Sequence, residues 1–231
     1  MTPVIATPFC TALLGGSFDP VHDGHVALAN LFAQLLQPDE LRIMPAGQPW
    51  QKKAGLEAGD ADRVAMLKLA FEGADVKAVI DTREIERDTP TYTVETLREL
   101  RAELGPDASI VFLMGADQLQ KLDSWRDWED LFALANFGVA ARPGYELDAA
   151  ALPSAVAAAL APRLGTPEEV RNSKAGRVCL AHTLAVEISA TELRAALHAG
   201  VHADATQREK LSALLAPQVL DYIQQHNLYK S

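Results

Sequence analysis

The sequence is short of cysteine, of positive charge and of long apolar runs, and each shortage closes off a class of function. Two cysteines, Cys10 and Cys179, occur in 231 residues. They lie far apart and lack the paired spacing of zinc ligands, which excludes a zinc ribbon or disulfide scaffold and leaves two buried thiols in a reducing compartment. Lys and Arg number 21 against 31 Asp and Glu, a formal net charge of −10. A chain this acidic lacks the surplus cations that grip nucleic-acid backbones or anionic membranes, so neither is expected as a partner. Any phosphate it binds must be held by a local device. The apolar stretch within MTPVIATPFCTALLGG has no basic segment before it and is too short to span a membrane, and no later run approaches that length. A cytoplasmic location is the expectation. Also missing are the two familiar phosphate loops, Gly-x-Gly-x-x-Gly and the Walker sequence ending in Gly-Lys-Ser.

Short apolar runs suited to buried strands are present at 10–16, 40–46, 77–83, 109–115, 136–142 and 176–182. Between them lie segments of helical period at 24–36, 60–72 and 93–104, the first with Leu28, Leu31, Phe32 and Leu35 on one face. Strand alternating with helix predicts an α/β fold, a Rossmann-like doubly wound parallel sheet with helices on both faces. The Ala-rich stretch ELDAAALPSAVAAALAPRLG reads as helix interrupted by prolines, and the segment from about 188 to 231 as helical. No linker or repeat divides the chain, so a single domain over 1–231 is expected. In such sheets ligands bind beyond the carboxyl ends of the strands. That rule places Gly15 to His25, Pro45 to Lys53 and Gly115 to Trp125 on one rim.

The first of these rim segments, GGSFDPVHDGH, leads from a strand into a helix. Its turn, Gly15, Gly16, Ser17 and Phe18, offers backbone N–H groups, and the following helix start adds the positive end of its dipole, a combination that favours an anion. His22 in the loop and His25 in the first helical turn can aim N–H donors at one point, while Gly24 lets a phosphate approach the backbone. A metal pair or two structural histidines are the competing readings. A metal would want further ligands, for which Asp19 and Asp23 are the local candidates.

These residues carry a family resemblance. GGSFDPVHDGH resembles the H-x-G-H motif of the nucleotidyltransferase superfamily, and the full run resembles the bacterial nicotinate-nucleotide adenylyltransferases. Further matches follow in order: RVAMLKLAF, TPTYTVETLREL, FLMGADQLQKLDSW, FGVAARPGY, ISATELR and the closing PQVLDYIQQHNLY. The resemblance runs from about residue 13 to 229 and is weakest at 46–60 and 146–176.

It implies transfer of AMP from ATP to nicotinate mononucleotide, with release of pyrophosphate. The substrate phosphate is itself the nucleophile, so no covalent enzyme intermediate is implied, and catalysis rests on positioning and charge stabilisation. His25 would serve the transition state and His22 the ATP phosphates. From ISATELR, Ser189 and Thr191 would bond phosphate oxygens or cap the helix, and Arg194 would hold the leaving pyrophosphate in a forked grip. Lys52 or Lys53 would serve the phosphates from PAGQPWQKK, where relatives often carry Pro-Pro-His-Lys and this chain has Trp50 and Gln51 instead. Tyr92 and Thr93 would meet the pyridine carboxylate through backbone N–H groups, Trp125 would stack on the ring and Asp117 would reach a ribose hydroxyl. Mg²⁺ is expected as the companion of ATP, held by phosphate oxygens and water rather than by a protein cage. The sequence leaves monomer and homodimer open. Acceptors weighed against nicotinate mononucleotide are its amide and phosphopantetheine. A nucleotide-binding regulator that keeps the fold without turnover is the reading from another class.

Overall fold

A computed structural model describes residues 7–49, 55–72, 77–141, 152–182, 190–198, 211 and 213–230. Six parallel strands form the main sheet: β1 (Cys10–Gly16), β2 (Glu40–Pro45), β4 (Ala78–Ile80), β6 (Ser109–Gly115), β7 (Asn136–Ala141) and β8 (Val178–His182). Their spatial order is β4-β2-β1-β6-β7-β8, all pairs parallel. Every predicted strand is present. β6 and β7 are buried along almost their whole length, as expected for central parallel strands covered on both faces.

The three predicted long helices are α1 (Asp23–Leu36), α2 (Asp60–Phe71) and α3 (Thr93–Leu104). α1 buries Ala29, Phe32 and Leu36, a helical stripe, and ends at Gln37, whose left-handed backbone returns its N–H to the Ala33 carbonyl. Phe32 explains Gly138 on β7, where a Cβ would lie 2.8 Å from the Phe32 ring and 2.9 Å from Leu113. Short helices α4 (Ala116–Leu119) and α5 (Leu131–Leu134) follow β6. In the Ala-rich region, α6 (Ser154–Leu160) and α7 (Pro167–Arg171) form on either side of a 3-10 turn, Ala161–Arg163, that contains Pro162. The C-terminal helices are α8 (Ala190–His198) and α9 (Pro217–Gln225), the latter opening on a proline at its first position.

The core lies in two layers. One packs α1, α2, α7, α8 and α9 through residues such as Phe32, Met66, Val170, Leu193 and Val219. The other packs α3, α4, α5 and α6 through Leu97, Leu119, Leu131 and Val156. The sheet is therefore doubly wound. Its chain order reverses between β1 and β6, and at such a switch point a crevice opens at the strands' carboxyl ends. Cys10 and Cys179 are buried free thiols, and burial pushes Cys179 up to about 11.

A small ribbon was not foreseen. β3 (Gln48–Pro49) pairs in parallel with β5 (Pro90–Thr91). Gly47 makes the approach feasible, since a Cβ there would sit 1.9 Å from the Glu84 carbonyl oxygen. The ribbon carries Thr91 and Tyr92 to the crevice.

Candidate active site

The turn after β1 is built from the inside outward. Phe18 adopts φ 46, in the left-handed region, and is 1 % exposed, with its ring edge-on to that of His25 at 4.8 Å between centroids. Asp19 is buried too, and its carboxylate accepts the N–H groups of Glu57 and Ala58 at 2.9 and 3.0 Å and the hydroxyl of Tyr229 at 2.8 Å. Arg63, with no exposed surface, donates to the Ser17 carbonyl at 2.8 Å and to Asp60 at 2.6 Å. The turn is thus held by α2 from below and by the chain's last residues from the side. Asp23 joins this clamp by donating its N–H to the Leu214 carbonyl at 2.9 Å. Burial raises its carboxyl above the ordinary range.

His22 stands at the N-cap position of α1 and is buried. Its backbone N–H donates to Nδ1 of His25 at 3.2 Å, and the two rings stack at 3.7 Å with 28° between their planes. An Nδ1 that accepts must carry its lone pair, which leaves Nε2–H as the donor of neutral His25. Both imidazoles belong to one preset unit at the opening of a 14-residue helix. That arrangement presents donors and a positive dipole end to an anion.

Beside this unit, over the β1/β6 switch point, lies a cavity of about 170 Å³. Its floor is Leu13, Met44 and Phe112, and its walls include Gly15, Gly16, Ser17, Thr93, Tyr92 and Trp125. Trp125 meets Phe112 edge-on at 6.0 Å, so its indole stands as a flat wall. Tyr92 is the N-cap of α3, which puts the opening N–H groups of that helix at the cavity.

The predicted residues therefore separate into two adjoining groups. Gly15, Gly16, Ser17, Tyr92, Thr93 and Trp125 share the cavity wall, whereas His22, His25 and Phe18 pack together at the start of α1. Arg194, on α8, joins the turn from the other side. Its guanidinium donates to the Asp19 carbonyl at 2.7 Å and pairs with Glu57 at 3.0 Å. Thr191 is exposed on the first turn of α8. Asp117 is exposed on α4, and its neighbour Gln118 lines the cavity instead. Lys52 and Ser189 lie outside the described residues.

Three cavity residues stand outside the set that the motifs assign: Glu84, Thr96 and Arg126. Glu84 accepts the Thr96 hydroxyl at 2.6 Å, and Arg87 donates to the same hydroxyl at 2.9 Å and to Glu99 at 2.5 Å. Burial pushes the Glu84 carboxyl above its ordinary value, opposed by the Thr96 bond and by Arg87. The hint was the charge cluster REIER just before TPTYT, which reads as solvated surface until the ribbon folds it inward.

Comparison with known proteins gives the family and the fold. Residues 13–196 match the cytidylyltransferase-like family. A protein of Herminiimonas arsenicoxydans named probable nicotinate-nucleotide adenylyltransferase is 54 % identical over 222 residues, 96 % of this chain and 97 % of that one. The chain belongs to the nicotinate-nucleotide adenylyltransferase family. A relative of the same name from Chromobacterium violaceum is 44 % identical over 94 % of this chain and 97 % of its own length. Among solved structures, the nicotinic acid mononucleotide adenylyltransferase of Plasmodium falciparum superposes with a TM-score of 0.72, covering 95 % of this chain and 97 % of that one. At 21 % identity that likeness speaks for the fold. As a family member the protein is a nucleotidyltransferase. Among the described residues no helix is long and apolar enough to cross a membrane.

Proposed function

We propose that this adenylyltransferase joins ATP to nicotinate mononucleotide by direct in-line attack, releasing pyrophosphate and forming the deamidated dinucleotide. The observation that carries the reading is the adjacency of two sites at one switch point. A flat-walled cavity suits a pyridine ring, and a paired-imidazole helix start beside it suits phosphate. A protein of the same fold, the P. falciparum enzyme, is complexed with NaAD, which is in keeping with such a double site.

In this reading the mononucleotide ring lies against Trp125 and near the first turn of α3, and its 5′-phosphate points toward the α1 N-terminus. The phosphate oxygen attacks the α-phosphorus of ATP and the bond to the pyrophosphate oxygen breaks. Nε2–H of His25 and the imidazole of His22 stabilise charge on the transferring phosphoryl group, aided by the turn Gly15 to Phe18 and by Gly24. Arg194, oriented by Asp19 and Glu57, receives the leaving pyrophosphate together with Thr191, Ser189 and Lys52. The protein neither donates a nucleophile nor forms a covalent bond. Both carboxylate oxygens of Asp19 are already engaged, which favours a Mg²⁺ carried by the ATP phosphates over one held by this turn. Asp117 would reach the ribose from the edge of the cavity.

Pyrophosphate release with ATP and Mg²⁺, comparing the acid with the amide mononucleotide, tests the proposal. A clear preference for the acid is expected. Turnover of the amide alone, or none with either, overturns it.

A further inference from the structure

The acceptor cavity carries very little charge, and what it carries is informative. Among the described wall residues two belong to the charged types, Glu84 and Arg126. The Glu84 carboxyl is folded into its own network with Thr96 and Arg87. Arg126 is different. Its side chain is 52 % exposed, its guanidinium lies 4.6 Å from the centroid of the Tyr92 ring, and its ion partner is Glu95 at 3.2 Å. Glu95 is itself 39 % exposed and sits in the first turn of α3, at the same helix start that Tyr92 caps.

We propose that Arg126 is a specificity residue: its guanidinium exchanges Glu95 for the pyridine carboxylate of the acceptor, and so sets the preference for acid over amide. The proposal rests on the function argued above and deepens it. Glu95 marks where a carboxylate is welcome, because its own carboxylate, carried on the first turn of α3, already pairs with Arg126. A pair this exposed is weak and easily given up. Against the Trp125 wall, a ring carboxylate can reach the same guanidinium with less water around it, where the interaction is stronger. Contact with the Tyr92 face keeps the guanidinium at the rim and limits the freedom lost on binding. Need for a cation is physical as well. The protein's net charge is −10 and Glu84 lines the same cavity, so an anionic acceptor meets an opposing field that backbone N–H dipoles must otherwise overcome alone. A carboxamide has no charge to offer and leaves Arg126 with Glu95.

The test uses steady-state kcat/KM for acid and amide mononucleotides with the full-length enzyme and its variants R126Q and R126K. Loss of a charge-assisted contact predicts a fall of about 10- to 100-fold for the acid in R126Q, with the amide changed by much less. R126K, which keeps the charge and loses the fork, is expected to retain part of the discrimination. The exposure of the side chain makes both variants compatible with folding, and equal thermal midpoints would verify it. An equal fall for both acceptors overturns the proposal, since it assigns Arg126 to the phosphate they share or to the packing of Tyr92. No change for either also overturns it. If wild-type enzyme is silent with the acid, the functional reading fails first, and that result is distinct from an altered ratio in the variants.

Discussion

Two tyrosines of the C-terminal segment donate to carboxylates, and comparing them tests whether that segment clamps the turn after β1. Tyr229 donates to Asp19 at 2.8 Å, where Asp19 is 2 % exposed and Tyr229 6 %. Tyr222 donates to Asp62 at 3.0 Å near the surface. Removing the Tyr229 hydroxyl as Tyr229→Phe leaves a buried carboxylate with the Glu57 and Ala58 N–H groups and one charge-assisted donor fewer. That loss costs about 1.5–3 kcal/mol. For a chain of this size, about 2–4 °C per kcal/mol converts it into a fall in melting temperature of about 3–12 °C. Tyr222→Phe should stay within about 0.5 kcal/mol, as surface changes do. The pH dependence gives a second reading. Burial, reinforced by the Asp19 bond, raises the Tyr229 hydroxyl above its ordinary value of 10.0. A raised folded value means stability that is complete below the unfolded pKa and is lost as pH rises beyond it. The gap between wild type and Tyr229→Phe should therefore narrow above pH 10. The assay is thermal and denaturant unfolding of the two variants beside wild type. Equal effects of the two substitutions, or a gap that widens in alkali, would refute the clamp.

Other consequences are more direct. His25→Ala should fold and bind both substrates yet lose roughly 10²- to 10³-fold in turnover, by analogy with loss of one oxyanion donor; single-turnover kinetics that match wild type would remove the ring from catalysis. Glu84→Gln keeps the shape and the Thr96 contact but cannot ionise. Because burial raises the Glu84 carboxyl, wild type should lose stability relative to this variant as pH rises from 4.5 through the raised value, then run parallel to it. Unfolding curves across that range decide the point, and a gap moving the opposite way would mean that Arg87 outweighs burial.

Much of this protein was legible in one dimension, for a local reason. Parallel strands buried on both faces must be short, continuous and apolar, so SIVFLMG and NFGVAA declared themselves without knowledge of their neighbours. GGSFDPVHDGH was equally readable, since a turn, a helix start and two side chains three residues apart are set by adjacent backbone. Hence His22 and His25 could be paired before any coordinates, and the structure stacks the N-cap ring on the third helical residue's ring at 3.7 Å. What sequence could not decide is which distant segments close on that turn. Asp19 looked like a candidate metal ligand, yet tertiary contact gives its oxygens to residues 57, 58 and 229. Arg194 was expected to grip phosphate, and only the fold reveals the Asp19 carbonyl and Glu57 that aim it. Glu84 and Arg126 resemble any surface charge until a two-residue ribbon and the turn after α4 carry them to the cavity. Motifs record chemistry that neighbouring residues share along the chain; charges acquire their partners through long-range packing, and no local periodicity encodes that choice.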